Sequence, residues 1–532
     1  MAFVYNFPLF SIILSMFSAI ISSVLSGKWA KRVSLIMVCL VLLMSSGLLV
    51  YTHSTGEAVT YMMGHFPAPW GNEIRFGVLE AVMAVFFSIV MLLSLLGGMS
   101  HVFADVEDTK TNLFFVLIDM TMSSLLAMIY TNDLFTGYVF VEINTIAAAG
   151  LIMIRQHGHS LVASIRYLVM SSIGSGLFLI ALSILYGITG ELLMVPARDG
   201  VQVLRESGNY SLPLLLSLGL MSVAMAIKSG LYPFHTWIPD TYGYSTTTAS
   251  AVLSSLVSKA YIILLIKIYV RVFGYAYADA GHILNVLFVL GLVAMVMGSV
   301  EAIRQRDVNR MIAYSSVAQI GYIYMGLGLG TEAALMASLF HIMTHAATKS
   351  MLFVSMTGLR EASGGKTDRR SLSGAGYRNP LAGITFLVGS LSMVGFPMLS
   401  GFISKLLFAR AAIGVSGKML PALLVLALST ILNAIYFLRV VITIYSPQGS
   451  DAPLDNVMDD EGHVLTPEAY QEAERAKLQT EGVFLAPKAG ALVKNGPLMS
   501  VAMVLMMLLN FFLGLCSGPI TEALLAGLRI FG

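Results

Sequence analysis

The chain has 532 residues, 57% of them hydrophobic and 11% charged, with a mean hydropathy of +0.81. This is far too apolar for a soluble protein of ordinary composition and describes a polytopic membrane protein. Only two cysteines are present, Cys39 and Cys516, which excludes a cysteine-held iron–sulfur cluster, and a net charge of +2 is uninformative until its distribution over the loops is read.

Apolar runs of about 20 residues, enough to cross a bilayer, recur along the whole length. No basic region precedes the first run, so it is expected to be a retained helix and not a cleaved signal. Length and apolar character predict an all-α protein of about 14 spans, at about 7–26, 33–52, 79–102, 112–130, 134–154, 161–186, 212–240 (broken), 247–270, 283–303, 310–329, 332–358, 381–412 (broken), 419–445 and 497–516. Basic residues follow the odd-numbered spans: Lys28, Lys31 and Arg32; Arg155; Arg304, Arg306 and Arg310; then Arg360, Lys366, Arg369, Arg370 and Arg378. The opposite loops, such as 53–78 and 187–211, are close to neutral. The positive-inside rule then puts both termini outside.

A polar insert at 446–496 separates the last two spans. Within it TPEAYQEAERAKL reads as a short surface helix, with Thr466 at its N-cap and Pro467 at its first position. It is expected to be a solvated cytoplasmic loop, or an element that docks a neighbouring subunit.

The stretch 212–271 holds two long apolar runs, each with an internal lysine, joined by a segment interrupted by Pro and Gly. A lysine at the centre of a membrane helix costs roughly 2.5–3.5 kcal/mol, so it faces the protein interior and is a functional candidate. Lys228 and Lys259 fit that description. Pro233 lacks the N–H that would serve the carbonyl of Ser229, so the helix carrying Lys228 is expected to break beside its charge. Irregular backbone at membrane depth is tolerated only inside protein or along a wet cavity, which implies water or an ion path. Span twelve repeats the theme, with Gly395, Pro397, Gly401 and Lys405 in LSMVGFPMLSGFISKLLFAR. The two breaks lie five spans apart, as an inverted repeat of spans four to eight on nine to thirteen requires. The expected division is 1–111 for three N-terminal spans, 112–270 and 283–445 for the two repeats, the insert 446–496, and 497–532 for the last span.

Glu142 sits mid-span in LFTGYVFVEINTIAAAGL, followed by Asn144 and Thr145, and a carboxylate there must hold a proton or pair with a cation; Lys228 is the natural partner. In span eleven His341, His345 and Lys349 fall at i, i+4 and i+8, drifting by about 40° per step, and so share one face. With no HExxH pattern or further ligand cluster, a proton relay suits the two histidines better than a metal. Glu142, Lys228, Lys259, His341, His345, Lys349 and Lys405 together form a candidate proton pathway. Asp119, Asp133 and Arg439 are weaker members, Asp133 reading better as a helix cap.

The segments KSGLYPFHTWIPD (228–240), LVSKAY (256–261), RMIAYSSVAQIGYI (310–323), HIMTHAATKSMLF (341–353) and GFPMLSGFISKLL (395–407) resemble those of the antiporter-like subunits. That family comprises membrane subunits of respiratory complex I (NADH-quinone oxidoreductase), of Mrp-type sodium/proton antiporters and of membrane-bound hydrogenases. The resemblance covers about residues 80–445, with five motifs in the family's order. The lysines of LVSKAY and SGFISK look most like the D-type component of the Mrp antiporters, while the insert and the lack of a long lateral C-terminal helix depart from the largest complex I subunit.

The resemblance implies fourteen core helices, inverted five-helix repeats and broken helices seven and twelve. It also implies a pathway running from Glu142 and Lys228 through Lys259, His341, His345 and Lys349 to Lys405. Its further implications are a prokaryotic cell (inner) membrane, other membrane subunits, protons, Na+ as a further ion and the lipid bilayer as partners, with no nucleic acid, cofactor or bound metal. The expected function is proton translocation within a multisubunit complex, with no catalysis by the chain itself. Two alternatives compete: a structural membrane subunit that transports nothing, and a subunit with its own quinone or redox site.

Overall fold

A computed structural model describes residues 4–63, 66, 71–208, 210–446, 457–458, 464–465 and 492–531. Helices dominate, and each of the fourteen expected spans coincides with a helix or a broken pair. The first are α1 (Phe7–Val24), α2 (Gly27–Thr55), α3 (Val78–Asp105), α4 (Thr111–Tyr130), α5 (Leu134–Met153) and α6 (Gly158–Thr189). The two loops that read as neutral carry structure of their own. Strand β1 (Val59–Met62) pairs antiparallel with β2 (Glu73–Phe76), and α7 (Met194–Glu206) is a short helix with a mostly polar surface.

The broken span is α8 (Ser211–Ser229) followed by α9 (Ile238–Tyr244), and the next is α10 (Thr247–Val252) and α11 (Ser258–Ile268) joined by a π-helical turn at Leu253–Val257. After the small α12 (Tyr275–Ala280) come α13 (Ile283–Arg304), α14 (Val308–Leu329), α15 (Glu332–Ala362) and a single turn, α16 (Ala375–Arg378). The second broken span is α17 (Pro380–Val394) with α18 (Ser400–Ile413). The last elements are α19 (Met419–Ile444), a minor pairing of β3 (Val457–Met458) with β4 (Val464–Leu465), α20 (Pro497–Leu515) and α21 (Ser517–Arg529). The expected surface helix at Thr466 and Pro467 lies outside the described residues.

Among the described residues, eleven helical segments are long and apolar enough to cross a membrane by length and composition. The α14, α15 and α17–α18 spans fall short of that measure because they are more polar or shorter in each piece. Burial sorts centre from rim. The apolar window of Thr247–Phe273 is 100% buried, whereas that of Met419–Ile444 is 28% buried and exposes Leu420, Leu424, Ile431, Ile435 and Ile442. Helix α15 is enclosed by α3, α10, α14, α17, α18 and α20. The lysine-bearing α10–α11 span and α15 therefore lie inside the molecule, whereas α19 turns an apolar face outward, where lipid tails need no polar partner.

The two breaks share one local geometry. Gly230 takes φ +78° and Gly395 φ +94°, a left-handed conformation that glycine adopts without a Cβ penalty. Gly230 N–H donates to the carbonyls of Ala226 and Ile227 and Leu231 N–H to Ala226; Gly395 N–H donates to Leu391 and Ser392 and Phe396 N–H to Leu391. Both are Schellman endings, which satisfy the last carbonyls of a helix that stops inside the protein. At the first break Trp237 Nε1 also donates to the Ile227 carbonyl at 3.2 Å, so exposed backbone is served by the residues just after the interruption.

Candidate functional site

Lys228 is the penultimate residue of α8, and its side chain is 1% exposed. Its ammonium donates to Glu142 Oε1 on α5 at 3.1 Å, to Thr145 Oγ1 at 2.8 Å and to Ser171 Oγ on α6 at 3.2 Å, and lies 5.9 Å from the centre of the Tyr261 ring. Three donors thus meet three acceptors, a full complement for an ammonium. Glu142 is half-buried and also accepts from Ser175 Oγ. The carboxylate is the more accessible partner, at 33% exposure against 1% for the lysine. The sequence expectation that these two residues pair agrees with the geometry.

Lys259 stands at the second position of α11, directly after the π-turn, and is wholly buried. Among the described residues it has no carboxylate partner; its ammonium donates to the Ser254 carbonyl and to Ser258 Oγ at 3.1 Å. The π-turn frees the Ser254 carbonyl from regular α-helical pairing, so the backbone irregularity supplies the lysine's acceptor. Between the two lysines, Tyr261 donates to Asn144 Oδ1 at 2.9 Å, and Asn144 donates to Ser124 Oγ on α4 at 2.7 Å.

On α15, His341 and His345 stack with ring centres 6.0 Å apart, and His341 also stacks on Tyr322 at 5.3 Å. Lys349 donates to the Ile312 carbonyl and to Ser315 Oγ on α14. Lys259 is near enough to act electrostatically on His341, His345 and Lys349. His341 Nδ1 meets Ser404 Oγ at 2.5 Å, one residue before Lys405 on α18. Lys405 donates to the carbonyls of Met393 at 3.1 Å and Val394 at 2.7 Å, the last two residues of α17. There it sits at the negative end of a half-helix, where a cation is favoured.

Between Lys259 and Lys405 the usual accounting of buried polar groups fails. Both ring nitrogens of His345, Nε2 of His341, Gln319 Nε2, Tyr322 Oη and Thr344 Oγ1 are buried without a hydrogen-bond partner. Buried polar atoms are almost always paired, so an unpaired run of them marks a place for water or a moving proton.

The structure brings six of the seven predicted residues into buried positions on adjacent helices, with Glu142 half-buried beside them; Lys228 stands at the end of a broken helix, Lys405 reaches the end of another, and Lys259 follows a π-turn. Asp133 caps α5, accepting from Phe135 N at 2.9 Å and from Thr136 Oγ1 at 2.7 Å. Arg439 is exposed on α19, away from this line, and Asp119 belongs to a different cluster. Sequence reasoning missed Ser171, Ser175, Tyr261, Tyr322 and Ser404, hydroxyl groups that no charge signal distinguishes from ordinary helix residues. It also missed Lys267, an intramembrane lysine that the same rule would have found; its ammonium donates to the carbonyls of Met128, Ile129 and Thr131 at the end of α4.

Comparison with known proteins agrees with this architecture. A family profile described as NADH:quinone oxidoreductase/Mrp antiporter, TM, matches residues 131–432. NADH-quinone oxidoreductase subunit N of Desulforudis audaxviator is 30% identical over 446 residues, covering 83% of this chain and 86% of that one. The D-type component of the Na(+)/H(+) antiporter of Alkalihalophilus pseudofirmus is 28% identical over 371 residues, covering 70% and 73%. In fold, a chain of the membrane-bound sulfane sulfur reductase, an archaeal respiratory membrane complex, matches with a TM-score of 0.82 at 24% identity, over 100% of this chain and 98% of that one. A chain of the Mrp complex from Dietzia sp. DQ12-45-1b matches with the same score at 21% identity, over 100% of both. The matched region runs from just before α5 into α19 and so takes in every residue of the buried charged line, and on this basis the chain belongs to the family of transmembrane subunits shared by NADH:quinone oxidoreductases and Mrp antiporters.

Proposed function

We propose that the chain carries protons across the membrane as one subunit of a multisubunit complex, along the line Glu142, Lys228, Lys259, His345 and His341, Lys349 and Lys405. The observation that carries this reading is the run of buried cationic and imidazole groups that begins at the Lys228–Glu142 pair and continues, among the described residues, without a carboxylate partner to Lys405. Buried ammonium groups without counter-charge are costly to keep ionised, so each can hold or release its proton according to its neighbours.

In the resting arrangement Glu142 keeps Lys228 protonated. When a neighbouring subunit or a cation draws the half-exposed Glu142 away, Lys228 passes its proton toward Lys259. The unpartnered nitrogens of His345 and His341, with Lys349, carry it on, and Lys405 releases it at the break between α17 and α18. The shared Schellman endings at Gly230 and Gly395 support reading spans four to eight and nine to thirteen as inverted repeats, each contributing one broken helix.

The named relatives are subunits of larger assemblies, which supports other membrane subunits as partners and a prokaryotic cell membrane, and the basic loops favour both termini outside. They include both the redox-linked and the sodium-exchanging kind, and either could supply the driving event.

The test is proton and sodium flux in vesicles holding the whole complex, native against Lys228→Ala and Glu142→Ala at matched assembly. Loss of flux in both variants is the expected result. Unchanged flux in both would make the pair structural and overturn the pathway while leaving the fold untouched.

A further inference from the structure

Asp119 lies outside the charged line, on α4, and is wholly buried where α4 packs against α1 and α2. Its Oδ2 accepts from Ser18 Oγ at 2.6 Å and from Ser22 Oγ at 3.4 Å, both on α1. Its Oδ1 has no hydrogen-bond partner. Ser34 on α2, also wholly buried and with its own hydroxyl unpartnered, faces the same carboxyl.

Among the described residues no cation is paired with this group. Helix α1 has no charged residue between Phe7 and Val24. The ionisable side chains of α2 are Lys28, Lys31, Arg32, Cys39, Tyr51 and His53, and α4 adds only Tyr130. Against the other faces of α4 stand Glu80, His101 and Asp105 on α3, Tyr138 and Glu142 on α5, Lys259, Tyr261 and Lys267 on α11, Glu73 and Arg75 on β2, and Asp108 and Lys110 in the turn before α4. None of these is hydrogen-bonded or ion-paired to Asp119 among the described residues. An isolated carboxylate buried at membrane depth costs many kcal/mol, and hydroxyl donors alone do not repay it.

We propose that Asp119, caged by Ser18, Ser22 and Ser34, is a further proton-binding site of this chain, separate from the Glu142 to Lys405 line. The carboxyl takes up one proton as an O–H on Oδ1, directed at the free Ser34 hydroxyl, while Ser18 and Ser22 donate to Oδ2. The proton is placed on Oδ1 because Oδ2 is already engaged by Ser18 Oγ at 2.6 Å and Ser22 Oγ at 3.4 Å. Losing the proton strands a negative charge among three helices, so deprotonation must admit water or part α1 from α4. That movement reaches the main line, since α4 also carries Ser124, the acceptor for Asn144.

The site is tested without measuring flux, so its failure is separate from failure of the pathway. Infrared difference spectra of the whole complex, taken across a change of pH, should show the C=O band of a protonated carboxylic acid that shifts in heavy water. The band should vanish in Asp119→Asn and persist, displaced, in Asp119→Glu. An identical band in the native complex and in Asp119→Asn overturns the proposal. Where Asp119→Asn does not assemble, Ser18→Ala with Ser22→Ala keeps the acid and removes two donors, and should move the band to higher frequency; an unmoved band overturns it. Binding of radioactive sodium that abolishes the band in the native complex, and is absent from Asp119→Asn, would replace the proton by sodium and overturn the assignment.

Discussion

His345 is the residue at which the proposed proton path and structural stability make opposite demands. It is wholly buried on α15 with neither ring nitrogen hydrogen-bonded, an arrangement that a purely structural side chain would have no reason to keep. Replacing it with leucine removes an unsatisfied polar group, so the assembled complex should melt at the same temperature or higher, with a gain on the order of 1 kcal/mol. If His345 relays protons, flux in the same His345→Leu complex should fall steeply. A variant that gains stability and keeps full flux would assign the histidine to packing.

Thr145 makes the complementary case, since its hydroxyl is the 2.8 Å acceptor for Lys228. Hydrogen bonds to charged groups are worth about 1.5–3 kcal/mol, so Thr145→Val should shift the balance of the lysine's states by about tenfold or more and lower flux, whereas Thr145→Ser should retain it. The charges of this site were legible in the sequence because lysine, histidine and glutamate are so costly in apolar runs. Their hydroxyl partners were not, because a serine or threonine inside a helix looks the same whether it faces lipid, backbone or an ammonium.

At the level of elements, the two broken helices were legible for a local reason: Pro233 and Pro397 remove donors, and Gly230 and Gly395 accept a left-handed turn. The π-turn at Leu253–Val257 had no such mark, as it is built from ordinary helix formers. Equally hidden was the closest helix pair, α13 on α14. A Cβ added at Gly291 would lie 2.4 Å from the backbone nitrogen of Met325, and one at Gly321 would lie 2.7 Å from the Gly291 carbonyl oxygen. Small residues let membrane helices approach to backbone contact, where packing rather than hydrophobicity holds them. Gly321→Leu should therefore force the pair apart and reduce the amount of assembled complex several-fold. Gly219→Leu on α8, where a Cβ meets nothing within 4 Å, should be tolerated. The amount of complex extracted from membranes and its melting temperature read both outcomes, and equal losses in the two variants would refute the close-packing argument.

Over the whole molecule, the order of spans could be read from apolar length, but the ties between distant parts of the chain could not. The most extended tie joins the β1–β2 hairpin, α3, the end of the α10–α11 span and the residues after α21. Arg271, 1% exposed, donates to the Phe531 carbonyl at 2.7 Å, to Asn132 Oδ1 at 3.0 Å and to Glu80, with its guanidinium 4.2 Å from the Phe531 ring centre. Arg75 on β2 donates to the same Phe531 carbonyl at 3.0 Å, and Asn132 donates to Glu73. Residues 456 positions apart are thus held by one carbonyl, a contact that no local pattern announces.

Breaking such a buried pair from one side leaves a stranded charge. Arg271→Met should destabilise the complex by about 3–5 kcal/mol, since Glu80 keeps its burial and loses its counter-charge. Phe531→Leu keeps both charges and most of the buried apolar volume and loses the ring face, a change nearer ~2 kcal/mol. Adding Glu80→Gln to Arg271→Met should recover part of the loss, because the remaining amide no longer carries a buried charge. Melting temperatures of the three complexes, compared at equal subunit content, test this order. If Arg271→Met proved no worse than Phe531→Leu, the network would owe its stability to packing at the end of the chain and not to the ion pair.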